Sequence, residues 1–170
     1  MDSTSPYPSL LAPLTLAGKK LKNRVMHASM TTRFGEDRHV TDRLIQYHAS
    51  RARGGAALIV TEPLSMARHQ NIDYKVRAWN DDNIDGLTRW AGAIAAHDSH
   101  LIGQIQDSGR GRHAPGRNAD AVGASALPDD ISWTVPRVLS VAEIERMTED
   151  FAQSSVRLKR CGFSGVEISA

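Results

Sequence analysis

Four short apolar runs, each ending in polar or turn-forming residues, constrain the fold of this chain more than any other feature. One of them, Leu101 to Arg110, carries the amide of Gln104 and breaks into Ser108-Gly109-Arg110. Such a run is too short for a helix, which indicates a buried strand followed by a loop. Three further runs have the same design: Arg24–Met30, Ala57–Glu62 and Gly165–Ala170. Because α/β sheets place ligands at the carboxyl ends of their strands, we expect the site at these four ends.

Three stretches between these runs predict helices. Thr41 is a suitable N-cap for a helix over Asp42–Arg53, and Asp81–His97 has acidic residues in its first turn. A third helix is predicted from the capping box Ser140-Val141-Ala142-Glu143 to about Cys161. Strands that alternate with helices form a parallel sheet with right-handed crossovers. Two architectures fit this order, an open doubly wound sheet and the first half of an eightfold barrel.

The remaining segments predict connections. Leu14–Lys22 alternates around a Gly-Lys pair and predicts a small hairpin, whereas Met1–Pro13 is expected to be extended. Leu64–Asn80 lacks periodicity and is predicted to be a loop, and Ser108–Leu139 is long enough to suggest a lid or a binding loop. The sequence stops at Ala170 with no helix to cover the fourth predicted strand. Parallel strands are normally covered on both faces, so we expect a chain cut short at Ala170 or one that needs a second polypeptide.

Composition limits the alternatives. A chain of 170 residues fits one domain over 1–170, and no run approaches the ~18 apolar residues of a membrane span. The single cysteine, Cys161, excludes an internal disulfide, and zinc-type metal sites lack support. The N-terminal residues MDSTSPYPSL have neither the basic region and apolar core nor the small-residue cleavage site of a signal peptide, so we expect a cytoplasmic protein by default. The basic cluster Arg110, Arg112, His113 and Arg117 has no aromatic residues to stack bases, which favours an anion-binding loop over nucleic-acid binding.

Several stretches, in order, resemble the motifs of one family, the FMN-dependent Old Yellow Enzyme or NADH:flavin oxidoreductase family. Pro13–Val25 is similar to its start and Ala28-Ser29-Met30-Thr31 to its A-P-M-T strand end. Arg53–Glu62 is similar to R-G-G-x-G-L-I-I-T-E, Gln104–Arg110 to Q-L-x-H-x-G-R, and Gly162–Ile168 to G-F-D-G-V-E-I-H. The resemblance implies the first half, about four β/α units, of a TIM (β/α)8 barrel.

The resemblance also implies a flavin site. In it the backbone of Ala28, Ser29 and Met30 lies along the ring, and Thr31 hydrogen-bonds the edge near N5 and O4. Gln104 is expected to bond the pyrimidine edge, and its amide offers the donor and acceptor that this edge requires. The implied cofactors are FMN and, as reductant, NADH or NADPH.

Several residues depart from the family pattern. Pro63 stands where the family uses a backbone N–H to reach the flavin, and proline has none. Ser29 replaces the proline of the A-P-M-T motif, and Asp107 replaces the histidine of the Q-L-x-H-x-G-R motif. Ser169 stands at the family's substrate-binding histidine, so the catalytic residues stay unassigned and the group that activates the substrate need not be an ordinary enone carbonyl.

Structural roles are expected for several other polar residues. Glu62 is expected to be structural, paired to a neighbouring strand or to Arg24. For Glu167, a structural role as an inward-facing residue of the barrel interior is as well supported as a functional role. His27, within the first strand, and His48, on an apolar helix face, are expected to be satisfied core histidines.

Two functional hypotheses follow. In the first, the chain is the N-terminal portion of an oxidoreductase that passes hydride from a nicotinamide cofactor through FMN to an unsaturated, enone-like small molecule. Ser169 and Pro63 keep open a variant that oxidises amines or removes N-methyl groups. In the second, the chain is an inactive half-barrel module that needs a complementary C-terminal half-barrel, or it forms a homo-oligomer. Neither hypothesis includes nucleic acid or membrane.

Overall fold

The computed structural model describes residues 6–69, 72–111 and 120–169. A short helix α1 (Pro8–Leu11) occurs in the lead-in that was expected to be extended, so that expectation is wrong for these residues. The predicted hairpin is confirmed: β1 (Leu14–Leu16) pairs antiparallel with β2 (Lys19–Leu21). Its turn is Ala17-Gly18, one residue earlier than the predicted Gly-Lys turn, because Lys19 already belongs to β2. Both turn residues have positive φ, and glycine accommodates such a backbone without strain.

The centre of the fold is a parallel sheet. Its strands are β3 (Met26–His27), β4 (Leu58–Val60), β6 (His100–Gln106) and β9 (Gly165–Ser169), with β4 between β3 and β6, and β6 between β4 and β9. All four predicted strands are therefore present, although β3 is much shorter than predicted. Each new strand is added on the same side of its predecessor, which is the order of a barrel and not of a doubly wound sheet.

Three helices connect these strands and pack on one face of the sheet. They are α2 (Asp42–Arg53), α3 (Ile84–Ala95), which follows a 3₁₀ turn over Asp81–Asn83, and α4 (Val141–Arg160). Their starts follow the predicted signals: the amide of Leu44 donates to the Thr41 hydroxyl, and Ser140 and Glu143 form the capping box. The helices and strands share one core, which includes Leu44, Ile59, Leu87, Trp90, Leu101, Ile105 and Leu158.

Strand β6 shows how the two faces of the sheet differ. Leu101, Gly103 and Ile105 are buried, whereas Ile102, Gln104 and Gln106 on the other face are partly exposed. Gly103 lets α4 approach closely, because a Cβ there would lie 2.5 Å from Cδ1 of Leu158. The face that carries Gln104 and Gln106 is called the inner face below.

A bulge after β4 was not predicted. The segment that begins at Leu64 was expected to be a loop, but Leu64–Ser65 forms strand β5, which also pairs parallel with β6. The register shifts from Val60↔Ile102 to Leu64↔Ile105, so one extra residue lies between β4 and β5. Pro63 lies in this interval and has no amide hydrogen for the ladder, which explains the interruption.

The long segment after β6 also contains structure that was not predicted. Strands β7 (Val122–Gly123) and β8 (Arg137–Val138) pair with each other within the range expected to be a lid or loop. Between them, Asp129 accepts hydrogen bonds from the backbone amide and the hydroxyl of Ser132, which forms a local turn. In the part of the chain that the structure describes, no helix is both long and apolar enough to cross a membrane.

Candidate functional site at the carboxyl ends of the strands

The structure brings the predicted site residues to one edge of the sheet. Ala28, Met30 and Thr31 follow β3 and are exposed, with Met30 at 59% of its maximal accessibility. Ser29, Pro63 and Gln104 lie at the ends of β3, β4 and β6 and are partly buried. These six side chains therefore border an open surface at the end of the sheet where barrel enzymes place their chemistry.

Glu62 ties the ends of β3 and β4 together. Its side chain is 2% exposed, and Oε2 accepts from both the backbone amide and the hydroxyl of Thr32, each at 2.5 Å. The expected structural role is thus supported, although the partner is Thr32 of the loop after β3 and not Arg24. Oε1 is buried without a partner among the described residues. This clamp fixes the position of Thr31, the neighbour of Thr32.

The bulge positions Gln104. The backbone amide of Gln104 donates to the Thr61 hydroxyl at 3.0 Å, which replaces the ladder bond that the bulge interrupts. The side-chain Nε2 donates to Oε1 of Glu167 on the adjacent strand. Glu167 therefore lies on the inner face, as expected for a residue that lines the barrel interior. The NH₂ group has a second hydrogen and the side-chain carbonyl oxygen is an acceptor, so Gln104 can offer both a donor and an acceptor to a ligand while it stays bonded to Glu167.

A second polar group lies next to Gln104 on the inner face. Gln106 is opposite Ser169 in the pairing of β6 with β9, and its Nε2 lies 3.4 Å from the Ser169 hydroxyl. Its Oε1 accepts from Nζ of Lys75 at 3.0 Å. Lys75 is 5% exposed, and burial lowers the pKa of its ammonium to about 8 although the charge of Asp107 acts in the opposite direction.

Asp107, which stands at the family's histidine, has a histidine as its partner. Its Oδ2 lies 2.8 Å from Nε2 of His69, and its Oδ1 accepts from the Gly109 amide at 2.6 Å. Burial alone raises the pKa of the Asp107 carboxyl, but His69, Gly109 and Lys75 together lower it below its usual value. The contact with the Asp107 carboxylate raises the pKa of the His69 imidazole, although burial acts in the opposite direction.

The other histidine predictions have different outcomes. His48 is fully buried beside Trp90, and burial lowers the pKa of its imidazole to about 4. It is therefore a core histidine as expected, although Nε2 has no partner within the described residues. His27 is partly exposed and packs edge-on against Tyr47, so it is less enclosed than a core residue.

The predicted basic loop is described only in part. The Arg110 guanidinium donates to the carbonyls of Leu127 and Pro128, which are acceptors of its own loop. Arg112, His113, Arg117 and Ala170 lie outside the described residues.

Sequence reasoning missed Lys75, His69 and Gln106. Lys75 and His69 belong to the segment that was predicted to be an unstructured loop, so they had no predicted place in the fold. Two signals were available. Asp107 in the place of a histidine requires a new cationic partner, and Lys75 directly precedes Val76 in a segment whose apolar residues have to be buried.

Comparison with known proteins gives a consistent result. The family model described as NADH:flavin oxidoreductase / NADH oxidase matches residues 9–170. A metal reductase of Desulforamulus reducens is 33% identical over 162 residues, which cover 95% of this chain and 24% of the relative. An NADPH dehydrogenase of Bacillus cytotoxicus is 30% identical over 162 residues, which cover 94% of this chain and 46% of the relative.

Solved structures agree with the fold. Morphinone reductase in complex with tetrahydroNAD superimposes with a TM-score of 0.82 at 27% identity, over 95% of this chain and 49% of that one. A 2-naphthoyl-CoA reductase complex gives a TM-score of 0.87 at 25% identity, over 95% of this chain and 27% of that one. The chain thus spans between about a quarter and a half of these four proteins, and the predicted half of a TIM barrel is confirmed.

Proposed function

The chain belongs to the NADH:flavin oxidoreductase / NADH oxidase family, and from this premise we propose that it forms the first half of an FMN-dependent oxidoreductase. The proposed reaction passes hydride from NADH or NADPH through FMN to an enone-like acceptor. When bound, FMN supplies the hydride chemistry, and the protein supplies orientation and electrostatics. The observation that carries the proposal is Gln104, whose backbone is locked to Thr61 and whose amide lies on the inner face.

The residues at this edge fit a flavin ring in part. The exposed run Ala28–Thr31 leaves a surface along which a flat ring can lie, with Thr31 held in place by the Thr32–Glu62 clamp. Gln104 offers the second N–H of its amide and its carbonyl oxygen to the pyrimidine edge, while its other N–H stays bonded to Glu167. Pro63 offers no N–H, so the binding of the opposite ring edge depends on Thr31.

Apolar side chains are exposed on the two edge strands β3 and β9, which supports the presence of further strands or helices in the complete protein. Ile168 on β9 is 63% exposed, and Met26 on β3 is 54% exposed. Large apolar side chains on edge strands are normally covered by neighbouring strands or helices. We propose that a complementary half-barrel, in the same polypeptide or in a second one, covers these edges and completes the cofactor site.

The experiment compares two proteins, the product of the natural gene and the 170-residue chain by itself. Each is mixed with FMN and examined by visible spectrum, by mass in solution and by acceptor-dependent oxidation of NADPH. The proposal predicts bound FMN and turnover with cyclohexenone whenever a complementary half-barrel is present. A colourless product of the natural gene that contains both halves contradicts it. A yellow, stoichiometric monomer of the 170-residue chain contradicts the need for a second half.

A further inference from the structure

We propose that Lys75 and Gln106 form a carboxylate-binding subsite on the inner face of the sheet, so that the hydride acceptor is a small molecule that carries a carboxylate group. Lys75 is the specificity-determining residue in this proposal, and Gln106 is the neutral group that contacts its ammonium until the carboxylate binds. The inference rests on the proposed function, because it names the chemical class of the acceptor at the same site.

The backbone fixes the position of Lys75. The segment that carries it runs beside β5, where the Ser65 amide donates to the Val76 carbonyl and the Ala78 amide donates to the Ser65 carbonyl, each at 2.8 Å. The ammonium reaches the carboxyl end of β6, where it lies 3.0 Å from Oε1 of Gln106 on the inner face. The positive charge of Lys75 therefore lies at the edge of the sheet that carries the candidate site.

Among the described residues, no carboxylate forms an ion pair with this ammonium. Asp107 acts on Lys75 through its charge, but its oxygens contact other groups, Nε2 of His69 at 2.8 Å and the Gly109 amide at 2.6 Å. The ammonium instead donates to the neutral side-chain oxygen of Gln106. Burying an ammonium without a directly paired counter-charge is costly. This arrangement favours a ligand that supplies the negative charge.

Lys75 keeps its positive charge at neutral pH although it is buried. It is 5% exposed, and burial lowers the pKa of its ammonium to about 8 against the opposing effect of Asp107. Because this pKa lies above 7, most of the protein carries a protonated Lys75 at neutral pH. An anion that reaches this group is attracted more strongly than it would be at the protein surface, since the surroundings screen the charge less than water does.

Gln106 provides the route by which a carboxylate reaches the buried ammonium. Its side chain is partly exposed, and its Oε1 accepts from Lys75 at a place where an anionic oxygen would accept more strongly. Its Nε2 lies 3.4 Å from the Ser169 hydroxyl, a long contact that costs little to break. A carboxylate that replaces the amide oxygen gains a charge-assisted hydrogen bond from Lys75, and the displaced NH₂ group of Gln106 can donate to the same carboxylate.

A second lysine shows what a purely structural arrangement looks like. Lys22 lies at the amino ends of the strands. Its ammonium donates to the Ala52 carbonyl, the His97 carbonyl and the Ser99 hydroxyl at 3.4, 2.6 and 3.1 Å. Three acceptors thus satisfy its three donors. Within the described residues, the ammonium of Lys75 has one acceptor, which leaves donors for a ligand.

The first measurement uses two matched ligands that differ in charge, benzoate and benzamide. Each is titrated into the protein as its natural gene encodes it, loaded with FMN, and binding is followed by the change in flavin absorbance. We expect benzoate to bind about 10-fold or more tightly than benzamide, the effect of one charge-assisted hydrogen bond. Lys75→Met is expected to remove this difference, and so is Lys75→Gln, which keeps a donor for Gln106 but removes the charge. Lys22→Met is the matched control and is expected to retain the difference.

The second measurement compares two hydride acceptors, cyclohexenone and 3-oxocyclohex-1-ene-1-carboxylate, which differ by one carboxylate. The ratio of kcat/KM for the carboxylated acceptor to that for cyclohexenone is expected to fall about 10-fold or more in Lys75→Met and Lys75→Gln. The ratio is expected to stay at the wild-type value in Lys22→Met. Gln106→Ala is expected to keep the preference for the carboxylated acceptor, because it leaves the ammonium in place.

Equal affinity of the wild type for benzoate and benzamide overturns the inference. A preference for benzoate that survives in a folded Lys75→Met or Lys75→Gln variant also overturns it. If these variants weaken NADPH binding by the same factor as benzoate binding, Lys75 serves the phosphate groups of the nicotinamide cofactor and the inference is wrong. A wild-type protein that binds no FMN fails the proposed function, a separate result, and calorimetric titration of the FMN-free protein with benzoate and benzamide then decides whether the carboxylate subsite exists.

Discussion

Substitution of Gly35 by alanine tests how closely the loops above the sheet are packed. Gly35 is buried in the loop after β3, and a Cβ at this position would lie 2.2 Å from the carbonyl oxygen of Tyr74. It would also lie 3.2 Å from Cγ2 of Val76. Since the nearest atom belongs to the backbone, no side-chain rotation relieves the contact. Gly35→Ala must therefore separate two loops, one of which carries Lys75.

The expected cost follows from what this separation breaks. An ordinary contact requires the Tyr74 oxygen to move by roughly 1 Å, which overpacking studies associate with about 1–3 kcal/mol. The same two loops are joined by hydrogen bonds from the Arg38 amide to the Asp73 carbonyl and from the Arg77 amide to the Arg38 carbonyl, at 2.7 and 2.9 Å. Losing one of them costs about 1 kcal/mol more. We expect Gly35→Ala to lower the free energy of unfolding by about 3 kcal/mol.

Urea unfolding of matched variants provides the assay. Gly92→Ala is the control, because Gly92 lies on α3 and a Cβ there meets nothing within 4 Å. That substitution removes a helical glycine and is expected to be neutral or to stabilise by up to about 1 kcal/mol. If Gly35→Ala unfolds at the same urea concentration as the wild type, the loops are not packed as described and the placement of Lys75 loses its support.

Three further predictions concern single contacts. Ser140→Ala removes the cap of α4 and is expected to cost about 1 kcal/mol of stability, measured by urea unfolding with Ser140→Asp as the retained cap. Thr32→Val removes one donor from the buried Glu62 and is expected to cost about 2 kcal/mol, whereas Thr32→Ser keeps the donor and should unfold like the wild type. The pKa of His48 falls on folding to about 4, so the unfolded chain binds the extra proton and stability should decline by roughly 3 kcal/mol as the pH drops from 6.5 to 4. His48→Phe should flatten that decline in unfolding experiments at each pH, and an unchanged slope refutes the assignment.

The parts of the fold that could be predicted are those governed by local signals. Thr41 and the capping box at Ser140 mark helix starts through hydrogen bonds to residues a few positions away, and both are present in the structure. The same holds for the hairpin, whose Ala17-Gly18 turn is encoded by neighbouring residues. The four strands were identified because each is an apolar run of strand length between turn residues.

The missed parts depend on contacts between distant segments. Strand β5 has only two residues and exists because β6 offers it a pairing edge, a property of residues about 40 positions away. Separations in sequence of 30 and 31 positions likewise lie between Thr32 and Glu62 and between Lys75 and Gln106. Motif matching identified Gln104 as a site residue, but it did not indicate that Glu167 engages the same amide.

The affinity of the protein for FMN tests the central claim most directly, if it is measured for Gln104→Leu beside two controls. Glu167→Gln keeps a hydrogen-bonding partner for Gln104, and Gln46→Leu changes an exposed amide on α2. The measurement is quenching of FMN fluorescence in the protein as its natural gene encodes it. We predict that Kd rises about 10-fold or more for Gln104→Leu, as for loss of a paired amide, and changes little for the two controls. A folded Gln104→Leu variant that binds FMN as tightly as the wild type contradicts the placement of the flavin at the carboxyl ends of β3, β4 and β6.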